Sequence, residues 1–183
     1  MSTSSRGSGS GGNTCGLVSG VVDDRALVEK QLGRAPRAFR RVVVRCPFGR
    51  PAVTEQAPVD DAGAPFPTTY YLTCRWLVAA ISRLEAAGGV ERWTDAARSD
   101  PKLAASLERA SDEQRRLRRE LAGSGWEHAS LESGIGGSSR DGSLKCLHAH
   151  AAFALARPGY ELGDRIVDEL EPLWPERCCS DEY

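Results

Sequence analysis

Thr68-Thr69-Tyr70-Tyr71-Leu72-Thr73-Cys74-Arg75-Trp76-Leu77-Val78-Ala79-Ala80-Ile81-Ser82-Arg83-Leu84 decides the fold class, because its hydrophobic period changes partway along. As far as Cys74 the side chains alternate, which puts Tyr70, Leu72 and Cys74 on one side, as in a strand. From Arg75 the period is helical: Leu77, Ala80, Ile81 and Leu84 share a face, and Gly88-Gly89 supply the stop. With strand signals upstream and helix signals downstream, the chain reads as α+β: a small antiparallel β-hairpin or sheet packed on a helical bundle.

Upstream, Phe39 to Cys46 is the best strand, with Val42, Val44 and Cys46 on one side and Arg41, Val43 and Arg45 on the other. Pro47-Phe48-Gly49-Arg50-Pro51 turns the chain into a hairpin partner, Ala52 to Gln56, and a Pro- and Asp-rich loop runs from Pro58 to Pro67. Cys46 and Cys74 thus close two β-like segments on their apolar sides. Before them, Asp23-Asp24 and Gly33 bracket a short helix over Arg25 to Leu32. Residues 1–20 are Ser- and Gly-rich with almost nothing apolar to bury, the composition of a disordered tail, and Cys15 within it is incidental. Residues 21–183 are expected to form one domain.

Downstream, a short helix around Val90 to Ser99 ends at Asp100-Pro101. Lys102 to Ala122 forms a longer one, whose Leu103, Leu107, Ala110, Gln114, Leu117 and Leu121 make a seam for a neighbouring helix. Its outer face carries Arg115-Arg116 and Arg118-Arg119 among Glu108, Asp112, Glu113 and Glu120. That interleaving predicts a solvated face with pairs such as Arg109 with Glu113, not an RNA-binding ridge. Trp126 to Gly142 is a polar, glycine-rich loop, Ser143 is placed to cap a helix reaching Ala156, and Leu162 to Leu173 forms the last helix.

The net charge of −1 gives no electrostatic case for nucleic acid. No run approaches the roughly 18 to 20 apolar residues of a membrane helix, and the first residues lack the order of a signal peptide, so the expected location is the cytoplasm. There six cysteines act as free thiols, metal ligands or redox groups rather than disulfides. No complete catalytic or cofactor signature is present.

Chemistry concentrates in Lys145-Cys146-Leu147-His148-Ala149-His150, which holds one of six cysteines and two of three histidines. On a helix starting at Ser143, a step of about 100° per residue puts Cys146 and His150 on one face and His148 on the other. Two ligands do not hold an ion. Cys46 and Cys74 are the first candidates to complete a Cys3His site, with His148 and Cys178 in reserve; zinc is the favoured metal, with iron as the alternative. The competing reading keeps the same thiols as small core residues in a non-enzymatic interaction domain. A third reading places a phosphate-containing small molecule on the glycine-rich loop, at Gly136, Gly137, Ser138 and Arg140, before the helix N-terminus. A Cys-His hydrolase using Cys146 is disfavoured, since His148 faces away on that helix and His150 is buried.

Arg45-Cys46-Pro47-Phe48-Gly49-Arg50-Pro51, Pro65-Phe66-Pro67-Thr68-Thr69-Tyr70-Tyr71-Leu72-Thr73-Cys74, Ser82-Arg83-Leu84-Glu85, Gly134-Ile135-Gly136-Gly137 and Lys145-Cys146-Leu147-His148-Ala149-His150 together resemble the bacterial family DUF501, common in actinobacteria. The resemblance spans about Ala38 to Gly163. It implies a small cytoplasmic bacterial protein, and neither a substrate nor an activity.

Overall fold

The computed structural model describes residues 23–124, 128–138 and 142–178. The expected tail at residues 1–20, Cys15, Arg140 and Cys179 lie outside them. Among the described residues the chain is α+β, with six α-helices and one three-stranded antiparallel sheet. No helix among them is long and apolar enough to cross a membrane.

Helix α1 (Asp24–Leu32) begins where Asp23 accepts the Ala26 N–H at 3.1 Å and ends at Gly33, whose φ of 68° is the left-handed turn glycine takes without strain. Strands β1 (Phe39–Arg45), β2 (Pro51–Gln56) and β3 (Tyr70–Leu72) pair in that order. Every residue of the central β2 is buried. The alternation expected for β1 is not expressed, because Val42, Val43 and Val44 are all half-buried. Its register against β2 shifts between Val42 and Val44, and such an irregularity on an edge strand re-aims the side chains beyond it. Inside β2 the buried Glu55 carboxylate is satisfied by Arg40 at 3.2 Å and Arg41 at 3.0 Å.

Helices α2 (Arg75–Ala86), α3 (Gly89–Ser99) and α4 (Pro101–Ala122) follow, with Asp100 capping α4 through the Lys102 N–H at 2.8 Å and Pro101 at its first position. Leu103, Leu107, Ala110 and Gln114 of α4 are buried as the seam requires. The outer face is solvated as expected at Glu108, Arg109, Asp112, Arg116, Arg119 and Glu120, with Arg116 paired to Glu120 at 2.7 Å, but Arg118 departs from it. Arg118 is fully buried, and with Arg115 and Arg119 it grips the 3-10 turn Ala129–Glu132, donating to Ser130 O at 3.2 Å while Arg115 reaches Glu132 O at 3.0 Å and Arg119 pairs with the Glu132 carboxylate at 2.6 Å. Glu113 pairs with Arg157 rather than with Arg109. The burial of Arg118 arises because the segment after α4 folds back along it, and Glu113 is taken by Arg157 from the far end of the helix Leu147–Ala156; helical periodicity registers neither.

Helix α5 (Leu147–Ala156) is the central element, buried at Leu147 and from Ala149 to Ala154, and it packs on β3, α2 and α6 (Glu161–Asp168). Phe153 meets Tyr70 and Tyr160 edge to face, at 5.5 and 5.8 Å between ring centres. α6 is shorter than its pattern predicts; Pro172 cannot continue a helix. At Gly163 an added Cβ lies 2.4 Å from Tyr160 Cδ1 and 2.8 Å from Ala154 Cβ. Gly163→Ala is therefore expected to cost about 1–3 kcal/mol by overpacking the α5–α6 contact, read as a lowered urea midpoint at unchanged slope.

Candidate metal centre

α5 starts three residues later than Ser143 would cap it. Cys146 occupies the N-cap with extended backbone (φ −157°, ψ 117°), so it lies off the helical wheel that paired it with His150. The capping function comes from across the fold: the Glu85 carboxylate of α2 accepts the Leu147 N–H at 2.6 Å. An anion there complements the positive end of the helix.

That contact brings α2 against the start of α5 and assembles a cluster. Cys146 Sγ lies 3.7 Å from His148 Nδ1, and Glu85 Oε1 lies 3.2 Å from the same nitrogen. Among the described residues, Glu85, Cys146 and His148 form the set of three whose ligand atoms all lie within 4.8 Å of one another. His148 Nε2, on the far edge of the ring, faces Val78 O at 3.2 Å and Ser82 Oγ at 3.3 Å. Val78, Ser82 and Glu85 form one stripe of α2, at i, i+4 and i+7. Burial alone pulls the His148 imidazole down, but the Cys146 sulfur and the Glu85 carboxylate outweigh it and leave the ring above the ordinary histidine value.

Cys46, Cys74, Cys178 and His150 belong to no such set among the described residues. Cys46 is buried at the end of β1, where its N–H reaches Arg50 O at 2.9 Å. Cys74 is buried at the N-cap of α2, and Cys178 is buried in the C-terminal stretch. Cys46 and Cys74 pack into the hydrophobic core. His150, two residues beyond His148, points to the other side of α5, where its Nδ1 lies 2.7 Å from the Tyr160 hydroxyl. The missing partner is Glu85. Its segment, Ser82 to Glu85, carried part of the family resemblance, and only the approach of two helices distant in sequence marks it as a candidate ligand.

On the glycine-rich segment, Gly136 and Gly137 adopt φ of 69° and 75°, and the turn closes on itself. Gly134 N–H donates to Ser138 O at 2.7 Å, Gly137 N–H to Gly134 O at 3.0 Å and Ser138 N–H to Ile135 O at 3.4 Å. Gly137 O accepts from Lys145 Nζ at 2.8 Å. The donors of Gly137 and Ser138 are spent within the turn, and nine residues separate Gly137 from the first residue of α5.

Burial holds the His150 ring down at about 3 and pushes the Tyr160 phenol up. Folded, the His150 ring stays neutral to about pH 3, whereas unfolded it titrates near 6.5. Between those values the unfolded chain binds the extra proton, so stability falls as pH falls, by at most about 1.4 kcal/mol per unit. Going from pH 7 to pH 5 is expected to cost about 2 kcal/mol through His150. Urea unfolding at both pH values should show that loss as the difference between the native chain and His150→Gln, since the raised His148 ring acts in the opposite direction in both.

The family described as Protein of unknown function (DUF501) matches residues 42–168, most of the chain. The chain belongs to DUF501. That match takes in the whole of β2, β3 and α2 to α6, and with them Glu85, Cys146 and His148. No curated protein and no solved structure matches the chain. The DUF501 family description names no activity, so any function rests on the cluster's own chemistry.

Proposed function

We propose that this DUF501 protein binds a divalent metal ion, zinc first, through Cys146 Sγ, His148 Nδ1 and the Glu85 carboxylate. One observation carries the reading: the spacing of the three ligand atoms. Tetrahedral zinc, with bonds of about 2.3 Å to sulfur and about 2.0–2.1 Å to nitrogen and oxygen, requires ligand separations of about 3.6 Å for S···N and about 3.3 Å for N···O. The corresponding distances are 3.7 and 3.2 Å. His148 has the usual outer support, since donation of Nε2–H to Val78 O leaves the Nδ1 lone pair for the metal. A thiolate with an imidazole favours zinc over magnesium or calcium, with iron second.

Three protein ligands leave a tetrahedral position open. Beside it lies a cavity of about 310 Å³ lined by Tyr70, Tyr71, Leu72 and Val78 as well as Cys146 and His148. A metal so placed acidifies water and supports hydrolysis, which favours a catalytic over a purely structural role and a substrate with an apolar part. A Cys-His dyad fits less well. The Glu85 carboxylate crowds the nitrogen that faces the thiol, whereas the group that orients a dyad histidine belongs on the far nitrogen, which faces Val78 O and Ser82 Oγ instead.

Cobalt substitution is the test. One equivalent of Co²⁺ is expected to give a sulfur-to-metal charge-transfer band that zinc displaces, and protein purified without chelator should contain near-stoichiometric metal. Absence of both results, with Cys146 instead alkylated as a thiolate at neutral pH, would favour the proton-bridged cluster and retire the metal.

A further inference from the structure

Cys146 and His148, two of the three proposed ligands, form part of the wall of the cavity of about 310 Å³. β3 adds Tyr70, Tyr71 and Leu72, and α2 adds Val78. Tyr70 is buried and held edge to face on Phe153, and Val78 O faces His148 Nε2 at 3.2 Å, so these walls are preformed. Gly136 contributes bare backbone beside them. A Cβ there would lie 3.3 Å from Ala149 Cβ and 4.0 Å from Cys146 Cβ, so the glycine lets its segment close against the start of α5. The glycine-rich stretch is in this way a wall of the metal cavity.

Among the described residues, no Lys, Arg, Asp or Glu lines this space. A charged group placed in it would lose water and find no side chain to pair with. The metal adds no net attraction for an anion, because a thiolate and a carboxylate together cancel the charge of a divalent ion. We infer that the site takes an uncharged ester or amide, whose compact apolar acyl group fills this cavity while its carbonyl oxygen reaches the open metal position. This substrate class rests on the metal reading proposed above. Its hydrolysis balances with water alone: the water oxygen bonds to the acyl carbon, the C–O or C–N bond breaks, and a water proton leaves with the alcohol or amine. The cavity lies at the lower end of the roughly 300–1,000 Å³ of ligand pockets, which suits a short chain or a single ring.

The test uses the full chain loaded with Co²⁺, whose charge-transfer band reports the metal site directly. Acetohydroxamate, hexanohydroxamate and benzohydroxamate are titrated as acyl compounds that also ligate a metal, with succinic acid monohydroxamate and inorganic phosphate as charged probes. Shifts of the band should show hexanohydroxamate or benzohydroxamate binding at least about tenfold more tightly than acetohydroxamate, with neither charged probe gaining over it. Thr68→Asp, which puts a charge into the lining, and Tyr71→Ser, which removes a ring from it, should each keep the band and lose that preference; both positions are half-buried. The inference fails if the native chain shows no apolar preference, if the preference survives in the variants that fold, or if a charged probe binds as tightly as benzohydroxamate. In each of those outcomes the cobalt band remains and the metal reading stands. Absence of the band overturns both.

Discussion

Cys146→Ser and His148→Ala are each expected to lower metal affinity at least about 100-fold, and Cys46→Ser, Cys74→Ser and Cys178→Ser to leave it unchanged. Each substitution in the first pair removes an atom of the proposed ligand set, whose S···N and N···O separations of 3.7 and 3.2 Å match those of tetrahedral zinc. The cysteines of the second set are buried and belong, among the described residues, to no group of convergent ligands, and their loss removes a sulfur from packing, at a cost of about 1 kcal/mol in stability. Glu85→Gln has a compound effect. It keeps an oxygen able to accept the Leu147 N–H, so the helix start survives, but removes the negative charge that the metal and the helix N-terminus both favour. A competition assay with a chromophoric chelator reads all six variants. If Cys46→Ser or Cys74→Ser releases metal while Cys146→Ser does not, the site is built from strand-end thiols and the proposed set is incorrect.

The contrast between the two ligand sets shows what the sequence carries and where it stops. Local signals were legible: the change of period at Arg75, Asp23 and Gly33 at the two ends of α1, and Asp100-Pro101 at the head of α4 all reappear as structure. So does the burial of Cys46 and Cys74. The pairing of Cys146 with His150 did not survive, because it assumed that the helix had already begun at Cys146. A helix boundary misplaced by three residues exchanges the two histidines, since His148 and His150 lie on opposite sides of α5. The boundary is set by Glu85, sixty-two residues away, whose carboxylate supplies the cap that the local sequence at Ser143 was expected to provide. Arg118 failed for the same reason. Its place on the helix is periodic and polar, and only the return of the chain over α4 buries it.

Arg118→Ala is expected to be the most destabilising single change outside the apolar core, at about 3–4 kcal/mol. The guanidinium is fully buried, and burial draws it down to about 10, still charged at neutral pH. No carboxylate partners it among the described residues. It instead donates to two backbone carbonyls from different segments, Phe66 O at 2.8 Å and Ser130 O at 3.2 Å. Removing it leaves the Phe66 carbonyl unsatisfied, worth roughly 1–3 kcal/mol, takes one donor from Ser130 O, which keeps Ser133 Oγ at 2.7 Å and the Ser133 N–H at 3.3 Å, and opens a void. Against this stands the desolvation of an unpaired cation, which weakens the native arrangement and which any neutral replacement recovers. Arg118→Met measures the balance, because methionine fills much of the volume without the charge. If the carbonyl bonds dominate, Met falls between Ala and the native chain, about 1–2 kcal/mol below native in urea unfolding. A Met variant more stable than the native chain would mean that desolvation outweighs the bonds, and that Arg118 is kept for something other than holding the Phe66 and Ser130 segments onto α4.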